Sequence, residues 1–151
     1  MPPFKAFDNV YFVGVCWVSA WLITDPAGDI LIDTLHEPHV DTLIANLAEV
    51  GVKLSDIRYV LITHGHVDHI GGAAHLKPLL PNAHFVMTQK GWEEAERATK
   101  GTGRFSVRAM VAPDIVAKDG DKITVGKSDV TVYETPGHTL GTASRRRMVT
   151  W

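Results

Sequence analysis

The sequence predicts an α/β fold, and three observations carry that reading. Short runs of aliphatic, aromatic and β-branched residues recur along the chain. Stretches with helical spacing of apolar residues lie between them. Clusters of Gly, Pro, Asp and Asn punctuate the boundaries. Strands and helices interleave, which is the α/β pattern, or α+β where the pairing is mainly antiparallel. A length of 151 residues fits one domain with a sizeable core. With 45% hydrophobic and 21% charged residues the chain is globular rather than disordered.

The elements follow in order. Residues 10–15 and 18–24 read as strands, and the turn at residues 25–29 joins the second to another at 30–33. A helix is expected over residues 38–50, with Pro38 in its first turn and Gly51 just past its end. Val40, Leu43, Ile44 and Leu47 recur at helical spacing and mark its buried face. Residues 59–63 form a short aliphatic strand, and a short helix interrupted by Pro78 spans residues 72–80. Residues 84–88 read as a strand, and residues 92–98, carrying Glu93, Glu94 and Glu96, as an exposed helix. Residues 100–118 contain Gly101, Gly103 and Pro113, show little periodicity and read as a long loop. Residues 122–125 and 130–134 form a hairpin around Gly126-Lys127. Cys16, in Val15-Cys16-Trp17-Val18, reads as a small core residue, and as the sole cysteine it excludes an intramolecular disulfide.

The chemistry concentrates in Thr63-His64-Gly65-His66-Val67-Asp68-His69, where three imidazoles and a carboxylate fall within six residues. Imidazole nitrogen and carboxylate oxygen suit zinc and similar divalent ions. His64 and His66 lie two apart past a strand end, so in extended backbone both face one ion. Asp68 and His69 lie beyond the next bend, placed to hold a second ion or, for Asp68, to orient a water. His138, in Thr135-Pro136-Gly137-His138-Thr139, is the fifth candidate ligand, delivered by the second strand of the late hairpin. His36, His39, His75 and His84 read as structural or merely exposed.

His64-Gly65-His66-Val67-Asp68-His69 resembles the HxHxDH signature of the metallo-β-lactamase fold superfamily. Residues 21–34, ending in Asp33-Thr34, resemble that family's early hairpin, and Pro136-Gly137-His138-Thr139-Leu140-Gly141-Thr142 resembles its PGHTxGS segment. The resemblance runs over residues 7–144 and is nearest in wording to the subclass B3 β-lactamases. It implies an αββα sandwich, of which this chain is the first half plus the segment of the third metal histidine, a single domain ending early. It implies that His64, His66 and His138 hold one zinc, and that Asp68 and His69 hold a second, with a bridging hydroxide. No residue here matches the family's further histidine for the second ion. Where the family has Asp-Thr-Gly, this chain has Asp33-Thr34-Leu35, which implies an altered turn near the metals.

The implied activity is hydrolysis: zinc lowers the pKa of its water to ~7, and metal-bound hydroxide attacks a carbonyl. Asp68 is then the catalytic residue that positions the nucleophile. A β-lactam ranks first as substrate, then a lactone or a glyoxalase-II-like thioester. A non-catalytic metal-binding half-domain and an iron-dependent, oxygen-using relative are the competing classes. Arg145-Arg146-Arg147 suits a buried strand badly, so the end reads as a solvated basic tail or as a frameshifted or truncated one. A missing half implies an exposed sheet face including residues 30–32 and 60–62, and hence a possible homodimer. A formal charge of −2 gives no global support for nucleic-acid binding, and no apolar run is long enough to span a membrane. No signal peptide is read at Met1-Pro2-Pro3-Phe4-Lys5, which implies a cytoplasmic setting as written, or a periplasmic or secreted one from a trimmed start.

Overall fold

Strands that read as nearly continuous apolar runs form here because both of their faces are covered. The computed structural model describes residues 1–102 and 106–147. A seven-stranded sheet runs in chain order: β1 (Phe4–Phe7), β2 (Val10–Phe12), β3 (Trp21–Ile23), β4 (Asp29–Ile32), β5 (Ile57–Leu61), β6 (His84–Thr88) and β7 (Ile115–Ala117). The first four pair antiparallel; β4 to β7 pair parallel. The parallel crossovers carry α1 (Val40–Glu49), the short α2 (Val67–Ile70) and α3 (Ala73–Leu76), and α4 (Gln89–Thr99). A second, antiparallel sheet has the order β10-β9-β8, with β8 (Lys122–Val125), β9 (Ser128–Glu134) and β10 (Ala143–Arg147). This is the mixed α/β sandwich that the sequence implied.

The alternation along each central strand divides two cores. Val60 and Phe85 face the helices and pack with Leu43, Leu47 and Trp92. Their neighbours Leu61 and Val86 face the other way and pack with Ile123, Val130, Val132 and Ala143 of the small sheet. On α1, Asn46 is buried beside the leucines and donates from Nδ2 to the carbonyls of Val13 (2.9 Å) and Gly14 (3.1 Å), which satisfies its amide. The helix begins at Val40, two residues after Pro38, and Gly51 closes it with a left-handed φ of 90°.

Several expectations change. The edge strand β1 has three exposed residues of four and lacks the alternation that marks a half-buried strand. β7 lies inside the expected loop, three residues long and parallel to β6. Gly103 of that loop, and Met148 to Trp151 of the expected tail, lie outside the described residues. Cys16 is exposed: it caps a tight turn held by the Val15–Val18 bridge. The arginine run is strand β10, not a solvated tail. β10 is a sheet edge, and beyond Ala143 its inward positions meet a cavity, where long side chains fit. Nor is the face of residues 30–32 and 60–62 exposed: Ile30, Leu31, Val60, Leu61 and Ile62 are all fully buried, and Ile32 partly so. Among the described residues, no helix is long and apolar enough to cross a membrane.

The loop between β9 and β10 is seated on α4 through glycine. Gly141 donates to Glu94 Oε1 (3.0 Å) and accepts from Thr88 Oγ1 (2.9 Å). A Cβ at Gly141 would lie 2.3 Å from the backbone nitrogen of Gly91 and 2.5 Å from its Cα. Gly141→Ala is therefore expected to destabilise the protein by about 1–3 kcal/mol in urea unfolding, since two backbones must separate.

Candidate metal centre

The centre is assembled where β4 and β5 end and the small sheet crosses above them. Asp33 follows β4 in a left-handed conformation (φ 64°) and is only 3% exposed. Its carboxylate accepts from the Thr63 amide (2.7 Å), from Thr63 Oγ1 (2.9 Å) and from His69 Nδ1 (2.8 Å). The carbonyl of His69 accepts from both the amide and the hydroxyl of Thr34, each at 2.8 Å. Gly65 lets the loop press against α4: a Cβ there would lie 2.7 Å from Ala95 N and from Gly91 O. Leu35, at the position expected to alter the turn, keeps a left-handed φ of 56° while fully buried.

Three histidines converge on this loop. Thr63 Oγ1 sits 3.0 Å from His64 Nδ1, leaving Nε2 as the free nitrogen, and that atom is buried without a partner. His66 Nδ1 and His138 Nε2 lie 3.1 Å apart. One ligand atom from each of His64, His66 and His138 falls within 4.8 Å of the others, and among the described residues no other such set of three forms. Two nitrogens on one tetrahedral zinc are about 3.3 Å apart; the His66–His138 pair is near that separation, and the three together could hold an ion. His138 comes from the β9–β10 loop, held by a bond from Ala143 N to the Thr63 carbonyl (2.9 Å).

Asp68 and His69 form a separate pair beside the triad. His69 Nε2 is 3.6 Å from Asp68 Oδ2, and the His69 ring centroid is 4.2 Å from that of His64. All five residues marked in the sequence are thus brought together. The sequence reading missed the role of Asp33. Its signal was available, since Asp33-Thr34 ends an apolar strand, but only the fold shows that its carboxylate reaches Thr63 and His69.

Burial and the nearby His69 push the His64 pKa down to about 4, against the pull of Asp33. Burial also opposes charge on His69, yet the hydrogen bond that His69 donates to Asp33 and the charges of Asp33 and Asp68 outweigh it and raise its pKa. His64 is therefore neutral, and free to donate its lone pair, over the whole neutral range.

These features define the chain as a member of a family: residues 13–145 match the metallo-beta-lactamase superfamily, and the chain belongs to it. Among curated proteins it is 34% identical over 121 residues to the hydroxyacylglutathione hydrolase of Rhodopseudomonas palustris (strain HaA2), covering 80% of this chain and 39% of that one. It is 30% identical over 154 residues to the nitric oxide reductase of Moorella thermoacetica, covering 89% and 36%. Among solved structures it is similar to BJP-1, a subclass B3 metallo-beta-lactamase of Bradyrhizobium japonicum, with a TM-score of 0.91 at 30% identity, covering 99% of this chain and 58% of that one. The MIM-2 metallo-beta-lactamase gives a TM-score of 0.85 at 35% identity, covering 97% and 56%. The chain therefore spans well under half the length of these two curated relatives and somewhat over half that of the solved structures.

Two outcomes are expected. Asp33→Ala leaves three buried or half-buried donors without an acceptor, and should cost about 2–4 kcal/mol in denaturant unfolding of metal-free protein. The second concerns pH. A His64 pKa depressed below 6.5 contributes stability that is present above about pH 6.5 and lost as pH falls toward about 4. His69, with a raised pKa, contributes the opposite, present below 6.5 and lost as pH rises through its folded value. Chelator-treated His64→Gln should lose less thermal stability than wild type between about pH 7 and about pH 4.5.

Proposed function

We propose that this protein is a zinc-dependent hydrolase acting on a β-lactam. The observation that carries the reading is the convergence of three imidazole nitrogens around a buried, unpartnered His64 Nε2. The residues fit the ion: three nitrogens leave one tetrahedral position open, the pattern of catalytic rather than structural zinc. His64, His66 and His138 would hold it, and when bound it would supply an acidified water and a Lewis acid. Asp68 and His69 would hold a second ion weakly, since among the described residues no third donor joins them.

The chain's own residues do the rest. Asp33 fixes the His69 ring through Nδ1 and so aims Nε2 toward Asp68. Thr63 does the same for His64, turning Nε2 toward the triad. The Asp68 carboxylate is partly exposed, open to solvent and substrate, and suited to take a proton from the attacking water. Water then adds to the lactam carbonyl carbon, the C–N bond breaks, and the proton held at Asp68 passes to the departing nitrogen. The fold's likeness to subclass B3 β-lactamases supports the choice of substrate. A thioester is the second reading, favoured by the hydroxyacylglutathione hydrolases among the curated relatives.

Metal analysis after dialysis should find about one equivalent of tightly held zinc and little in His138→Ala. Two tightly held equivalents, iron in place of zinc, or full retention by His138→Ala would count against the assignment. Asp68→Asn should fold normally yet lose ~10²-fold or more in turnover across a panel of β-lactam, lactone and thioester substrates. Near wild-type turnover in that variant would remove Asp68 from the mechanism.

A further inference from the structure

Between the small sheet and the large one, beside their apolar contact, lies a cavity of about 720 Å³. Its walls are largely apolar, with Val10, Trp21, Ile23 and Ile32 on the large sheet, and His64 and His138 line it too. Two cations enter it. Along β10, Ala143, Arg145 and Arg147 are turned inward while Ser144 and Arg146 are exposed. Both inward arginines line the cavity, and no Asp or Glu does. Arg145 donates from Nη2 to the Ile62 carbonyl (2.9 Å) and from Nη1 to the Ser144 carbonyl (3.5 Å). The Nε atoms of Arg145 and Arg147 are buried without a partner, and among the described residues neither arginine forms an ion pair.

Guanidinium groups beside apolar walls are normally paired, because an unpaired buried charge is costly. Burial lowers the Arg145 pKa to about 10, with Asp33 opposing the shift, so the group remains charged at neutral pH. The pair thus presents unused Nε donors beside an apolar surface that His64 and His138 also line. A planar donor fork matches a carboxylate in two-point fashion.

We propose that this cavity is a carboxylate subsite: Arg145 and Arg147 bind the carboxylate of a small organic anion whose apolar body lies on Trp21 and Ile32. On the hydrolase reading, on which this part of the inference rests, the substrate is then an anion anchored at β10 with its reacting carbonyl toward His64 and His138. Binding itself needs no metal.

The test uses the whole chain stripped of metal, titrated with benzoate and with its neutral analogue benzamide. Binding is followed by NMR at the Trp21 indole N–H and the arginine Nε–H signals. Benzoate should bind and benzamide should bind at least ~10-fold more weakly, as the loss of a charge-assisted bond requires. Arg147→Met, which removes no side-chain bond among the described residues, should weaken benzoate ~10-fold or more, and Arg145→Met should do likewise where it folds. Arg146→Met, whose side chain is exposed on the other face of β10, should leave benzoate binding unchanged. Equal binding of the two probes, an unaffected Arg147→Met, or an equal loss of binding in Arg146→Met would overturn the subsite, the last by showing that general positive charge and not the inward pair holds the anion. Benzoate binding in a chain that hydrolyses nothing would sink the hydrolase reading and leave the subsite standing. Hydrolysis without benzoate binding would sink the subsite alone.

Discussion

The buried carboxylate of Asp33 is the constraint on which the centre depends. It leaves β4 in a left-handed conformation and accepts three hydrogen bonds from the loop after β5. Two of them come from Thr63 and start the loop; the third comes from His69 and ends it. One side chain therefore fixes both ends of a seven-residue segment that holds four of the five candidate ligands. Without it the ends of the loop would be held only by backbone bonds and by the Thr34 hydroxyl on the His69 carbonyl. Desolvating a carboxylate is costly, and here the cost is met by three donors and by the raised pKa of His69.

The neighbouring turn shows how magnitudes decide a local conflict. Leu35 sits in left-handed backbone, which costs an ordinary L-residue about 1–2 kcal/mol. Full burial of a leucine side chain returns about 1.5–3 kcal/mol. Burial outweighs the backbone strain, and the Leu35 carbonyl still accepts from the Gly72 amide at 2.8 Å. The turn beneath the metal loop is thus left-handed without a glycine. Glycine is instead used where backbones touch, at Gly65 and Gly141, both against α4. Those two contacts set the height of the His66 loop and the His138 loop against one common support.

Much of this was legible in the residues. The HxHxDH spacing and His138 picked out five side chains, of which the fold groups His64, His66 and His138 and sets Asp68 and His69 beside them. The central strands were legible because burial on both faces leaves unbroken aliphatic runs such as Tyr59-Val60-Leu61-Ile62. The misses share a cause: they lie where tertiary context overrides local pattern. β1 and β7 are edges, with too few buried residues to show alternation. Cys16 misleads because a short apolar stretch can be a turn as readily as a core strand. β10 misleads because three arginines look like solvent, whereas two of them reach into a space that no local signal reveals.

Placement of His138 makes the centre a property of the whole sandwich. His64, His66, Asp68 and His69 are local to one loop, but His138 arrives on the small sheet, 72 residues from His66. The junction is the bond from Ala143 N to the Thr63 carbonyl, reinforced by Arg145 on Ile62. Behind it lies the apolar contact of Val130, Val132 and Ala143 with Leu61 and Val86. Separation of that contact would withdraw the third nitrogen, since His138 is carried by the small sheet and the first two by the loop after β5. An ion bound to all three would act in reverse, holding the sheets together by linkage in proportion to its affinity. Metal affinity and sandwich stability are then two readings of the same inter-sheet contact.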